Sequence, residues 1–461
     1  MNNHTTGERI CKIATTDDTL TGRGGLAFFN RYLSEIGIYK IIDDRFGHLR
    51  KSGKGLDIWR LFKQVFLFFL DGTSRHLTYF DELKKDPGYA GVAEERVATL
   101  ASSHTMKRFF KAFFLNSAVL FRQVLRRLFL WRLQVERPDE IELTVDTMVM
   151  DNDEANVREG VQPTYKKVKG FQPLQVVWDG RIVDAVFRGG KKHGNSGKTV
   201  VNTVRDLVNY IRKNYRDDVT IIVKLDSGFF DKSNFAALDG LGVGFIATGK
   251  MYNDIKEPVR RASDDDWGSH DNGRQAWSYL EFGYRPQSWE KFYRAIYTRP
   301  VYEDKQMLLD FVRPDNVIVT NIGVSRDALK HCDAERIDHW IKPTTIIRGH
   351  HMRGADELPH RALKDFGFEQ LPFKRFAPNS AFYYCMIIAL FLFECFKRDV
   401  LREVIPVSSY AATVRRRFVD FAAKIVKTSK QIVLKVPRPI MESLKIESLW
   451  ELCQEPPPIP A

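Results

Sequence analysis

Apolar residues recur every three to four positions through the first third of the chain, in GGLAFFNRYLSEIG, LDIWRLFKQVFLFFL and LFRQVLRRLFLWRL. That spacing lines one side of a helix and predicts a helical region over 20–133. Gly and Pro punctuate it at Gly53–Gly55 and Asp86–Gly88. SSHTMKRFFKAFF opens on Ser and Thr and continues with Lys107, Arg108 and Lys111, which predicts a capped helix with a basic face. Such a face suits either a recognition helix in a DNA groove or plain solvation.

At ERPDE (Glu136–Glu140) the pattern changes. IELTVDTMVM, LQVVWD and IVDAVFR predict three strands, the last two joined by an Asp179-Gly180 hairpin turn. A helix over Lys198–Tyr215 follows, then the strand TIIVKLD, the short helix KSNFAALDGLG and the strand VGFIATG. A hairpin meander followed by α/β crossovers makes a mixed sheet with flanking helices, the order of the RNase H-like fold. Residues 250–345, rich in Trp, Tyr, Arg and short alternating runs, predict a mostly β insertion. AFYYCMIIALFLFECF (Ala381–Phe396) predicts a buried core helix, because it is short for a membrane span and contains Glu394. Lys397–Arg438 holds eleven Lys and Arg against three Asp and Glu, including Arg415, Arg416 and Arg417. It is expected to form a basic amphipathic helix, on DNA or facing solvent. The Pro-rich tail CQEPPPIPA is expected to be disordered.

The expected organisation is therefore a helical DNA-binding and dimerisation region over 1–133, and a catalytic α/β domain over 134–249 and 346–400. The β insertion occupies 250–345, and the basic helical segment with its tail 401–461. A net charge of +13 on 461 residues points to a polyanionic partner, nucleic acid being the commonest. Five scattered cysteines without a C-x-x-C pair argue for a reducing compartment, and the N-terminus lacks an apolar signal core. A cytoplasmic protein with no membrane partner is expected.

Three acids stand out. Asp146 and Asp226 each directly follow β-branched and Leu residues, at the mouth of a buried sheet, where a lone carboxylate is costly without a compensating cation or donor. Glu357 sits in HHMRGADELPHRALK, at the start of a predicted helix that tolerates Pro359 in its first turn. On that helix Glu357, Arg361 and Lys364 fall near one face. Two strand-end carboxylates and one from a helix can hold two divalent cations, the arrangement for in-line attack on a phosphodiester.

In these residues the chain resembles the DDE transposases of bacterial insertion sequences. The likeness is closest to the insertion-sequence-1380 branch, whose signature is Tyr, Arg, Glu and Lys with two, three and six residues between. Arg353, Glu357 and Lys364 match Arg, Glu and Lys of that signature, and His350 stands where Tyr is usual. KGFQPLQVVWDG, LDSGFF and FKRFAPNSAF also resemble stretches of this branch. The resemblance implies an RNase H-like catalytic domain in which Asp146, Asp226 and Glu357 bind two Mg²⁺, with Mn²⁺ able to substitute. It implies nicking at terminal inverted repeats, hairpin ends, strand transfer into target DNA and a homodimer in a synaptic complex. Arg353, Lys364 and His350 would meet backbone phosphates.

Other readings weigh less. The loop Gly189–Lys198 lacks phosphate-loop spacing, although Lys191 and Lys192 beside a helix N-terminus suit DNA phosphates. The histidines and Cys332 between 331 and 360 have no zinc spacing. Trp267, Trp277, Trp289 and Trp340 suit packing of the insertion, or stacking on an extruded base. A transposase-derived DNA-binding protein and a structure-specific nuclease of the same fold are the alternatives to a transposase.

Overall fold

The computed structural model of the protein describes residues 10, 12–50, 53, 55–154, 157–192, 197–301, 315–351, 358–428 and 431–460. Fifteen strands are described. β1 is Thr19–Thr21, β2 Glu140–Thr147, β3 Met150–Asp151, β4 Gln162–Pro163, β5 Lys169–Phe171, β6 Leu174–Trp178, β7 Arg181–Val186 and β8 Thr220–Leu225. β9 is Gly244–Thr248, β10 Gly268–Asp271, β11 Ala276–Tyr284, β12 Tyr293–Val301, β13 Asn316–Thr320, β14 Ala423–Lys427 and β15 Ile432–Lys435.

Nine of them form one mixed sheet in the order β10-β11-β12-β13-β9-β8-β2-β6-β7. β2, β8 and β9 run parallel, and β6 and β7 return antiparallel on the other side of β2. The parallel strands are joined by the helices Thr199–Asn214 and Lys232–Gly240. The hairpin at Asp179-Gly180 forms as the sequence predicts. Both residues take positive φ, 47° and 75°, the backbone twist that matches two right-twisted strands.

The central strands of the sheet are buried on both faces, and the side-chain period of two sorts their residues. Ile221, Val223 and Leu225 of β8 join the main core, with Phe245 and Ala247 of β9. Ile222 and Ile246 point the other way, into a smaller cluster with Ile318, Trp340, Ile346 and Ile347. The helices Ala334–Ile341 and Pro343–His351 cover that second face. Among the described residues β10 to β13 are not a separate layer, because β13 pairs with the free edge of β9 and extends the central sheet. Pairing that edge satisfies its backbone groups, a demand the sequence pattern does not reveal.

The long helix Phe376–Phe396 is the axis of the helical half. With the next turn it is long and apolar enough to cross a membrane, yet it lies 89% buried among the helices Ile58–Asp71, Ser103–Lys111 and Ser117–Glu136. The N-terminal helices thus share one continuous core with the sheet. Two expectations fail at the C-terminus. The basic segment is not one helix: residues 423–435 form the β14–β15 hairpin, which pairs with β1. KIVK and IVLK alternate β-branched and polar residues, a strand pattern. The Pro-rich tail is docked, with Trp131 donating to the Pro457 carbonyl at 3.1 Å and Ile459 N–H to Ile36 at 3.0 Å.

Candidate active site

β2 and β8 pair in parallel register up to Val145 opposite Leu225. The next residues, Asp146 and Asp226, therefore stand side by side at the carboxyl ends of neighbouring strands, whose backbones lie about 5 Å apart. Val145 and Leu225 point into the main core, so both acids project from the other face. The Lys224–Glu142 ion pair, 2.7 Å, lies on that same face below the acids. Each carboxylate accepts the N–H of the following residue, Thr147 and Ser227, at 2.6 Å. These bonds hold the side chains at the strand ends. Opposite Asp146 on β6, Gln175 donates to the Tyr383 hydroxyl at 2.8 Å, which fastens this corner of the sheet to the long buried helix.

The helix Leu358–Phe366 reaches the acids directly, with His360 Nδ1 3.7 Å from Asp146 Oδ2. Burial, then the nearby Lys364 and Lys166 charges, push the His360 pKa down to about 4. The ring is therefore neutral near pH 7, and the contact brings no positive charge to the acids. Hard oxygen donors at half-buried strand ends are the donor set a divalent metal takes. Among the described residues no group of three His, Cys, Asp or Glu gathers to hold a metal. Glu357 and Arg353 lie outside the described residues.

The other sequence-predicted residues fall in different surroundings. Lys364 follows His360 by one turn of the same helix and pairs with Glu369 at 2.6 Å. His350 is buried and bonded to Thr248 Oγ1, 3.0 Å away at the end of β9. Lys191 and Lys192 are exposed. The helix Ser103–Lys111 is capped by the Ser102 side chain as expected, with Lys107, Arg108 and Lys111 exposed. Lys107 and Lys111 line a concave cleft, the reverse of a projecting recognition helix. Arg416 and Arg417 are exposed, whereas Arg415 is half-buried. Its guanidinium donates to the carbonyls of Phe69, Leu70, Asp365 and Phe366 at 2.8–3.0 Å.

Trp289 packs among Phe230, Phe235, Tyr284 and Tyr293, and Trp340 is buried with its indole N–H on Glu140. Trp267 carries Arg299 over its ring, and Trp277 lies 4.4 Å from the ring of His351. His360 was not singled out beside the acids by sequence. Its spacing was the available signal, since Glu357, His360 and Lys364 sit three and four residues apart.

A family model described as transposase DDE domain group 1 matches residues 3–454. The chain is also similar to a solved structure described as piggyBac transposase in a synaptic complex with hairpin DNA. That likeness has 12% identity and a TM-score of 0.39, and covers 96% of this chain and 85% of that one. No curated protein matches the chain.

Proposed function

The chain belongs to the transposase DDE domain group 1 family, and from that premise we propose that it cuts DNA at transposon ends and joins the freed ends to target DNA. One observation carries the reading. Asp146 and Asp226 stand together on one face of adjacent parallel strands, with the helix that follows Glu357 seated against Asp146 through His360. The strand order β7-β6-β2-β8-β9, antiparallel then parallel, supports an RNase H-like core.

Asp146 and Asp226, joined by Glu357, would hold Mg²⁺ or Mn²⁺. When bound, such ions supply Lewis-acid activation of the attacking oxygen and charge relief for the leaving one. The protein's own part is placement. The strand ends fix two carboxylates, His360 seats the helix against Asp146, and Lys364 stands one turn further along the same helix. Arg353 and Lys364 would meet phosphates, Arg with the better fork. The insertion-sequence-1380 branch, hairpin ends and a synaptic homodimer belong to the same proposal.

The test is incubation with the DNA flanking the gene and Mg²⁺. Asp226→Asn is expected to abolish strand cleavage while leaving binding to the terminal repeats largely intact. Undiminished cleavage by that variant removes the site.

A further inference from the structure

Between the helix Ser103–Lys111 and residues 370–378 runs a cleft of about 1070 Å³. Arg75, Lys107, Lys111, Arg158, Lys374 and Arg375 line it, against a single carboxylate, Glu159. That carboxylate already accepts the Phe376 N–H at 3.0 Å. Arg75, Lys107, Lys111, Lys374 and Arg375 are all exposed. None of these five forms a salt bridge among the described residues, although the chain makes many elsewhere.

Like charges gathered in a concavity repel one another and focus a positive field, which an anionic ligand relieves. The basic track continues on one side, where Arg158, Lys374 and Arg375 also line an adjoining hollow that reaches Lys169 and Lys191. On the other side Arg75 borders a hollow lined by Asp151, Asp153, Glu154 and Glu369 as well as Lys364, and the positive lining ends there.

The rim adds the second requirement. Phe114 and Leu115, in the turn after the basic helix, are 67% and 65% exposed within this ring of cations. An aromatic ring can stack on a base only where the base offers its flat face, in an unpaired strand or at an end. A positive groove with an exposed aromatic is the usual combination for single-stranded nucleic acid.

We propose that this cleft binds an unpaired DNA strand, its phosphates held by Arg75, Lys107, Lys111, Lys374 and Arg375 and one base stacked on Phe114. The inference rests on the functional reading above for the choice of DNA as the polyanion.

Binding of the full chain to a fluorescent single-stranded oligonucleotide, and to a blunt duplex of the same sequence, is measured across a salt series. For Lys107→Ala/Lys111→Ala, two lost phosphate contacts are expected to reduce the slope of log K against log salt by about 1.4 for the single strand. Lys374→Ala/Arg375→Ala is expected to act alike, so one poorly folding variant leaves the question decided. Phe114→Ala is expected to weaken single-strand binding about tenfold, with the slope unchanged and duplex binding untouched. Unchanged slopes in both double variants overturn the proposal. So does equal loss for both DNAs in Phe114→Ala, or loss of a dimer in that variant with strand affinity intact. Asp226→Asn separates the two readings. It is expected to bind the single strand as the unaltered protein does; cleavage by it would overturn the catalytic reading alone.

Discussion

Replacing Arg415 with alanine is expected to destabilise the fold, even though Arg415 sits in the most basic triplet of the chain. Its guanidinium closes the open carbonyl ends of two helices. Phe69 and Leu70 lie in the last turn of Ile58–Asp71, and Asp365 and Phe366 end Leu358–Phe366. The last four carbonyls of a helix lack partners within it, and they carry the negative end of its dipole. Hydrogen bonds from a charged donor contribute roughly 1.5–3 kcal/mol each. Four would sum to several times the usual cost of one substitution, but water re-enters a half-buried site, so about 3–5 kcal/mol is the working figure. Lysine restores the charge without the fork and should recover only part. Gly72 provides a check from the opposite side. Its φ is +62°, and a Cβ there would lie 2.3 Å from Arg415 Cζ. Gly72→Ala should cost about 1 kcal/mol for backbone strain alone and more for the collision. The collision vanishes with Arg415→Ala, so the double variant should fall short of additivity. Urea denaturation reads all four. Arg416→Ala/Arg417→Ala, altering exposed side chains, should stay within about 0.5 kcal/mol of the parent. If Arg415→Ala unfolds at the parent's midpoint while DNA affinity drops, the capping argument is wrong and the residue is a DNA contact.

Mg²⁺ at about a hundred times its Kd should add roughly 2.7 kcal/mol of thermal stability, and Asp226→Asn should lose that gain; equal stabilisation of both proteins in a melting assay would place the metal elsewhere. Asp184 is fully buried between the half-buried Arg122 and Arg126, at 2.7 and 2.8 Å, so Asp184→Ala should cost about 2–3 kcal/mol by removing their shared charged acceptor, measured by denaturation. Gly180→Ala meets no atom within 4 Å and should cost only the positive-φ strain, about 1 kcal/mol. Burial alone would raise the Glu136 pKa, but Arg181 and Arg132 outweigh it and the net shift is downward. Its stabilisation is therefore complete above the ordinary glutamate pKa and fades as pH falls through the lowered value; Glu136→Gln should flatten that part of the acid-stability curve.

The elements that sequence reveals are those whose cause is local. The β-branched run of β8 and the two-residue turn at Asp179-Gly180 carry their own instructions, and so does the serine cap at Ser102. The acids at 146 and 226 were legible for the same reason, since each ends an apolar run that must be buried. What stayed hidden is set by distant partners. Nothing near β13 states that it pairs with the edge of β9, and nothing in Arg415-Arg416-Arg417 tells which of three identical side chains turns inward. Arg415 turns inward because two helix ends meet there, and those ends come from residues near 70 and 366. The face on which Asp146 lies likewise follows from which neighbours Val145 finds. The basic cleft joins side chains from four separated stretches, each carrying only one or two cations.

The position of the acid pair within the sheet bears on how firmly it can be held. β2 is the strand at which pairing changes from parallel, with β8, to antiparallel, with β6. Sheets of this kind place their sites at the carboxyl ends of strands beside such a change. Here β2 and β8 are also interior strands, because β6 and β7 flank one side and five further strands the other. An interior strand is bonded along both edges, so its end has little freedom to shift sideways. The two carboxylates thus stand at the ends of strands that are held along both edges. The third expected ligand, Glu357, precedes a helix whose far end is tied down by Arg415. If ligand geometry is shared in this way between a rigid pair and a tethered helix, loosening the tether should weaken metal binding without disturbing the sheet. Arg415→Lys, which keeps the charge and part of the capping, is the variant in which to see it. Its Mg²⁺-dependent gain in melting temperature should shrink while its far-ultraviolet circular dichroism stays that of the parent. A full gain in that variant would show that the helix end does not govern the site.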